Sequence, residues 1–174
     1  MLVINQSNLN LIHQQWNYSA INMQQSASEL DLIDIFFNVV RSNLNNERRH
    51  NYDSAKTYLG FNPLKKSKFD IILEIERIIH KNKSYTVIKN IYFCPDFDSS
   101  DLKECFSNIF YHLIKFTKNS ASTTTNIILF RNINQINFFK FIHDLPNTYK
   151  DKIEPYIYDI NFSYKNWFSF SVKE

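Results

Sequence analysis

One glycine, Gly60, serves a chain of 174 residues. Glycine lets backbone enter left-handed conformations and lets a phosphate come close to main-chain N–H groups. With a single copy, a P-loop or a dinucleotide-binding fingerprint in its standard form is excluded. The chain has to build its core from bulk instead. Sixteen Phe and ten Tyr supply it, within 44% hydrophobic and 21% charged residues. That balance belongs to a folded globular domain of ordinary size, not to a disordered chain.

Charge and cysteine usage narrow the classes further. A net charge of +3 and a pI near 8.7 are too mild for a dedicated nucleic-acid binder, so no nucleic-acid partner is expected. Arg48, Arg49, Lys65, Lys66 and Lys68, with Tyr52 and Tyr58 nearby, read as solvated charged turns. The two cysteines, Cys94 and Cys105, form no ligand set with histidine and no disulfide framework. His80, His112 and His143 are scattered, so no metal site is expected. Reduced thiols, a start without a basic leader and no apolar run of about 20 residues point to a cytoplasmic protein without a membrane span. Export without a cleaved leader leaves no mark in a sequence. The abundance of Asn, Ile and Lys is that of an AT-rich, bacterial-type coding sequence.

Periodicity orders the chain. Residues 1–25 are polar, with Trp16 and Tyr18 as the large anchors. Ser26-Ala-Ser-Glu29 has capping-box spacing, and Leu30, Ile33, Phe37, Val40 and Leu44 follow at helical intervals. Thr57 to Pro63 reads as a short strand. Phe69 to His80 fits either a strand, with Phe69, Ile71, Leu73 and Ile75 inward and Asp70, Glu74 and Glu76 outward, or a helix. Isoleucine enrichment and the polar Lys81-Asn82-Lys83 favour a hairpin into Tyr85–Phe93. A helix carries Leu102, Phe106, Ile109, Phe110 and Leu113, and Asn126–Phe130 is a short buried strand. A second helix carries Ile136, Phe138, Phe139 and Ile142, and two alternating runs, from Tyr156 and from Phe168, close the chain as a hairpin. The expectation is a single domain over 1–174, helical through residue 56 and sheet-containing from 57, of mixed α/β class with a partly antiparallel sheet.

This order resembles the GNAT family of N-acetyltransferases over roughly residues 57–174. Ile91-Tyr-Phe-Cys-Pro95-Asp-Phe97 followed by Asp98-Ser-Ser-Asp-Leu-Lys103 has the register of the family's strand, proline and acyl-CoA loop opening a helix. The resemblance implies that backbone amides of Asp101, Leu102 and Lys103 would hold the donor phosphates. It also exposes departures. Asp98 stands at the basic position, Ser99, Asp101 and Lys103 stand where glycines belong, and Phe139 replaces a tyrosine general acid. Leu11-Ile-His13-Gln-Gln-Trp16 is similar to the His before a Trp in toxin-activating lysine acyltransferases, which share the fold and draw from acyl carrier protein.

Two functions follow from the likeness. One is a non-catalytic or altered acetyltransferase-like domain that binds a protein partner or a second copy of itself, through Phe and Tyr side chains surplus to the core. The alternative is an acyltransferase moving an acyl group from acyl-CoA or acyl carrier protein to an amine, with Glu74, Glu76 or His13 as base. Each candidate also has an ordinary reading: a surface histidine beside a docking tryptophan, and outward carboxylates on a half-exposed strand. Tyr156 and Tyr158 pack a sheet or supply the missing acid, and Cys94 is inert core or an acyl carrier.

Overall fold

The computed structural model describes residues 1–46, 54–62, 68–80, 83–98, 109, 112–113, 115–116, 125–131, 157–164 and 167–172. Its elements are β1 (Leu2–Val3), α1 (Gln6–Asn22), α2 (Ala27–Asn46), β2 (Ser54–Phe61), β3 (Ile71–His80), β4 (Lys83–Phe93), β5 (Thr125–Arg131), β6 (Ile157–Tyr164) and β7 (Trp167–Val172). One seven-stranded sheet takes the order β1-β2-β3-β4-β5-β7-β6. β4 and β5 pair in parallel, from Lys83↔Thr125 to Ile88↔Phe130, and the other neighbours are antiparallel. The domain is a mixed α/β fold with GNAT-like topology, as the resemblance implied. The helix-or-strand ambiguity at 69–80 resolves as the hairpin.

Two points differ from the sequence reading. The part expected to be helical opens with the short strand β1, and its polar first 25 residues hold a full helix that periodicity did not pick out. Asn5 caps α1 by accepting from the backbone N–H of Ser7 and Asn8 at 2.9 and 3.0 Å, while the Asn8 side chain accepts from the Asn5 N–H at 2.9 Å. Leu9, Ile12, Trp16 and Ala20 then fall on one buried stripe. Asparagine-on-asparagine capping hid this start from a reading tuned to Ser, Thr and Glu. α2 begins at the expected box, with Glu29 N–H donating to Ser26 Oγ and Ser26 N–H donating to Glu29 Oε2.

The second difference concerns β3. Asp70 and Glu74, expected to face outward, are buried at 3% and 7% exposure. β3 sits between β2 and β4, and both of its faces are covered. Toward the helices, Tyr58, Ile72 and Cys94 pack with Leu9, Ile12, Trp16, Phe37 and Val40. On the opposite face Leu73 and Ile75 are buried, and Arg77 lies 5.8 Å from the ring centre of Phe116. A half-exposed strand is therefore not the setting of these carboxylates.

Gly60 owes its place to space. A Cβ there would stand 3.2 Å from Phe69 Cδ1 and 3.7 Å from Ile4 Cγ1. The Phe69 ring lies across the strand, and its backbone carbonyl accepts from Trp16 Nε1 at 2.8 Å. Close approach, not a left-handed turn, keeps this residue small.

Candidate functional site: the Glu74 pocket and the apolar face beside it

Glu74 shares the helix-facing side of β3 with Ile72, and a defect in the neighbouring strand decides which residues meet it. Its register partner is Asn90, whereas the next residue, Ile75, pairs with Ile88. Lys89 is thus the extra residue of a β-bulge in β4. The parallel β4–β5 register stops at Ile88, and β4 runs on to Phe93. The bulge brings Asn90 and Tyr92 onto the Glu74 carboxylate: Asn90 Nδ2 donates to Oε2 at 2.9 Å and the Tyr92 hydroxyl donates to the same oxygen at 3.0 Å. Lys56 Nζ stands 3.4 Å from Oε1 and is itself 46% exposed. Beside them, Asn43 Nδ2 donates to the Tyr58 hydroxyl at 2.7 Å.

Burial, and then the neighbouring Glu74 carboxylate, push the Tyr92 phenol well above its ordinary value. Tyr92 therefore stays protonated and donates. The pocket surrounds the Glu74 carboxylate with two neutral donors, Asn90 and Tyr92, and one cation, Lys56. Glu76, half-buried on the same side of the strand, pairs with Lys89 Nζ at 3.3 Å.

The three side chains expected as bases are not brought together. His13 lies between the helices, its Nε2 2.6 Å from Asp34 Oδ1 and its ring stacked on Phe37 at 4.5 Å. Asn17 Nδ2 donates to the same Asp34 oxygen at 3.1 Å. The hydrogen bonds from His13 and Asn17 hold the Asp34 carboxyl below its ordinary value. Asp101, Leu102 and Lys103 lie outside the described residues, as do Phe139, His143, Tyr156 and Cys105.

A second polar group, which the sequence reading did not assemble, sits at the far end of β4. Lys68 Nζ forms an ion pair with Asp96, lies 3.5 Å from Asp70 Oδ1 and donates to Ser19 Oγ at 3.2 Å. Cys94 is 2% exposed between them. Burial pushes its thiol up to about 11. Lys68 is raised by its Asp96, Asp70 and Cys94 neighbours against the opposing effect of burial, and Asp96 is lowered chiefly by the Lys68 hydrogen bond, again against burial. Ligand atoms of Asp70, Cys94 and Asp96 lie within 4.8 Å of one another, a spacing that suits a metal ion, but the Lys68 ammonium pairs with both of those carboxylates. The signal available in sequence was the spacing Lys68-x-Asp70 and Cys94-x-Asp96 on neighbouring chain ends.

Between the two polar groups lies an apolar groove of about 300 Å³, walled by Trp16, Leu32, Ile33, Phe36, Tyr92, Phe93 and Pro95. Phe36 and Tyr92 meet at 4.2 Å, and Phe97 folds back to stack on Phe93 at 5.2 Å. Its polar atoms are already engaged: Trp16 Nε1 with Phe69 O, and the Tyr92 hydroxyl with Glu74. From the groove wall outward α2 exposes Leu32 at 65%, Ile35 at 57% and Val39 at 51%. Among the described residues the surplus apolar surface is mostly aliphatic. Among the described residues, Tyr18 is the one aromatic in the set of large exposed hydrophobics.

Searches among known proteins add little to this geometry. No family model matches the chain. No curated protein matches it either. A solved structure, the PaiA N-acetyltransferase from Thermoplasma acidophilum in complex with coenzyme A, aligns over 100% of both chains at 14% identity and a TM-score of 0.37.

Proposed function

We propose that this domain acts by binding another protein on the apolar face that α2 presents beside the Tyr92 groove, as an acetyltransferase-like scaffold turned to recognition. The observation that carries the reading is the row Leu32, Ile35 and Val39, each more than half exposed on one side of a helix whose other side buries Phe37 and Val40 in the core. Large aliphatic groups held in water by a rigid helix are costly to leave uncovered, and covering each is worth about 1.5–3 kcal/mol at most. The groove favours an apolar guest, because its hydrogen-bonding atoms are spent within the protein. The acidic residues at the expected donor loop agree with this reading, since Asp98 and Asp101 oppose a pyrophosphate.

The test is a photo-crosslinking amino acid placed at Ile35, with Gln14 on exposed α1 surface as the control, in the cell that makes the protein. A defined adduct from position 35 and none from position 14 supports the reading. Equal, diffuse labelling from both positions refutes it.

The Glu74 pocket favours a second reading, acyl transfer to an amine. The amine nitrogen attacks the thioester carbonyl carbon, the carbon–sulfur bond breaks, and the sulfur leaves with the bonding pair as a thiolate. Glu74 takes the proton the amine loses, oriented by Tyr92 and Asn90, with Glu76 and His13 as the other candidate bases. The donor is acyl-CoA or acyl carrier protein, held through backbone amides of Asp101, Leu102 and Lys103. This reading expects either donor to raise the melting temperature by mass action, and expects Glu74→Gln to abolish turnover while keeping that shift. Absence of any shift with millimolar acyl-CoA and with acyl carrier protein removes it.

A further inference from the structure

The uncovered row on α2 has a symmetry of its own. Reading along the exposed side gives Ser28, Leu32, Ile35, Val39, Ser42, spaced by four, three, four and three residues. Small hydroxyl residues close both ends and three aliphatics fill the middle, so the row reads almost the same in either direction about Ile35. This is the spacing of a coiled-coil seam. A seam that reads alike both ways is complementary to itself when a second copy lies antiparallel, which is the condition for an isologous two-fold contact.

Charge fixes the direction. The acidic groups of α2 stand in its first half, Glu29, Asp31 and Asp34, and its single basic residue, Arg41, stands in the second. Asp31 and Asn38 flank the row on one side, and Glu29, Phe36 and Asn43 flank it on the other. Antiparallel helices centred on Ile35 place Asp31 opposite Asn38 of the other copy and Glu29 opposite Asn43, with Phe36 near its own counterpart. No like charges meet. Parallel helices would gather both acidic halves at one end, and opposed macrodipoles favour the antiparallel arrangement as well.

We infer that the partner covering this face is a second copy of the chain, with the two α2 helices antiparallel and Ile35 on the two-fold axis. The inference rests on the binding reading above and names its partner. The seam forms from side chains that the monomer does not need for its core, so the dimer can be removed without unfolding the subunit.

Sedimentation equilibrium of the whole chain tests it. The expected species has twice the 20.9 kDa chain mass. Ile35→Asp should return it to one chain mass with an unchanged circular-dichroism spectrum. Direction is read by disulfide capture in a Cys105→Ser background: Ser28→Cys mixed with Ser42→Cys should cross-link, whereas Ser28→Cys alone should not. A single chain mass across the accessible concentration range overturns the inference, as does a dimer indifferent to Ile35→Asp or a cross-link from Ser28→Cys alone. The binding reading fails separately. A position-35 adduct to a different protein together with a monomer in solution sinks the second copy and leaves recognition standing, whereas loss of position-specific labelling sinks both.

Discussion

Two polar clusters sit on the same side of one sheet, and they are built on opposite plans. Around Lys68 one ammonium bridges two carboxylates, Asp70 and Asp96, with Ser19 and a protonated Cys94 beside them. Around Glu74 a carboxylate is held by the neutral donors Asn90 and Tyr92 and by a Lys56 that reaches toward solvent. The first ties together three chain segments, the end of α1, the approach to β3 and the exit of β4. The second joins β2, β3 and β4, strands that the sheet's own backbone bonds already hold side by side, and it sits at a β-bulge. A closed ion group is what stability asks of buried charge. A carboxylate whose one charged partner among the described residues reaches toward solvent is what a site asks.

The comparison breaks most readily at Lys68. Lys68→Met removes the ammonium 3.5 Å from Asp70, which is 3% exposed, and the ion pair with Asp96. Removing one partner of a buried pair costs about 3–5 kcal/mol. Urea unfolding should show that loss, and the double change Lys68→Met with Asp70→Asn should recover most of it. A single change that is neutral would mean that the cluster is not a structural tie.

At the other cluster the effect is smaller and of a different kind. Tyr92→Phe removes a charge-assisted hydrogen bond worth about 1.5–3 kcal/mol while keeping the ring in the groove wall. Glu74→Gln keeps the shape and weakens both donors' bonds, so its stability cost should be no greater than that of Tyr92→Phe. If either variant unfolds the domain as thoroughly as Lys68→Met, the two clusters share one structural role and the contrast disappears.

Acid and alkali separate the members of the Lys68 group. Asp96 is lowered below 3.8 in the fold, so its contribution is present above that value and is lost as pH falls through its folded value. Lys68 is raised above 10.5, so its contribution holds below that value and fades as pH climbs through its folded value. Cys94 acts earlier on the alkaline side: its thiol moves from 9.0 when unfolded to about 11 when folded. Between those values the unfolded chain has released a proton that the folded chain retains, so stability falls by about 1.4 kcal/mol per pH unit. Cys94→Ala should flatten this limb of the stability–pH curve, measured by urea unfolding from pH 8 to about 11. An identical slope in the variant would contradict a buried neutral thiol.

Much of this arrangement could be read before the fold was known. β3 and β4 were legible because isoleucine alternation and a polar Lys81-Asn82-Lys83 turn agree, and Ser26 with Glu29 marks the start of α2 by a familiar cap. Glu74 was legible as a candidate but not as a buried one, because alternation tells which residues share a face and not whether that face is covered. Asn90 and Tyr92 were hidden by the bulge at Lys89, which shifts the partners of Glu74 by one residue. The Lys68 group was hidden for a different reason: its members come from residues 19, 68, 70, 94 and 96, and only tertiary contact assembles them. The exposure of the aliphatic row on α2 is not legible in sequence, since an apolar position on a helix carries no sign of which neighbours exist to cover it.

The smallest effect returns to the scarcity of glycine. α1 ends through the left-handed residue Gln24, with φ of 53°, and its N–H donates to Ile21 O at 3.0 Å. That turn follows directly on Ser19, which accepts from Lys68, so the helix end is part of the first cluster's frame. A side chain in this conformation costs about 1–2 kcal/mol, and glycine gives back about 0.5–1 of that through the greater freedom of the unfolded chain. Gln24→Gly should therefore stabilise the domain by about 0.5 kcal/mol, whereas Gln25→Gly, where φ is not positive, should destabilise it. Thermal unfolding of the two variants reads the difference in sign. If Gln24→Gly also raises the stability that Lys68→Met removes, by more than its effect in the wild-type chain, the α1 terminus and the ion group are one cooperative unit. Strict additivity would instead place the strain of Gln24 outside the cluster and confine the tie to Ser19 alone.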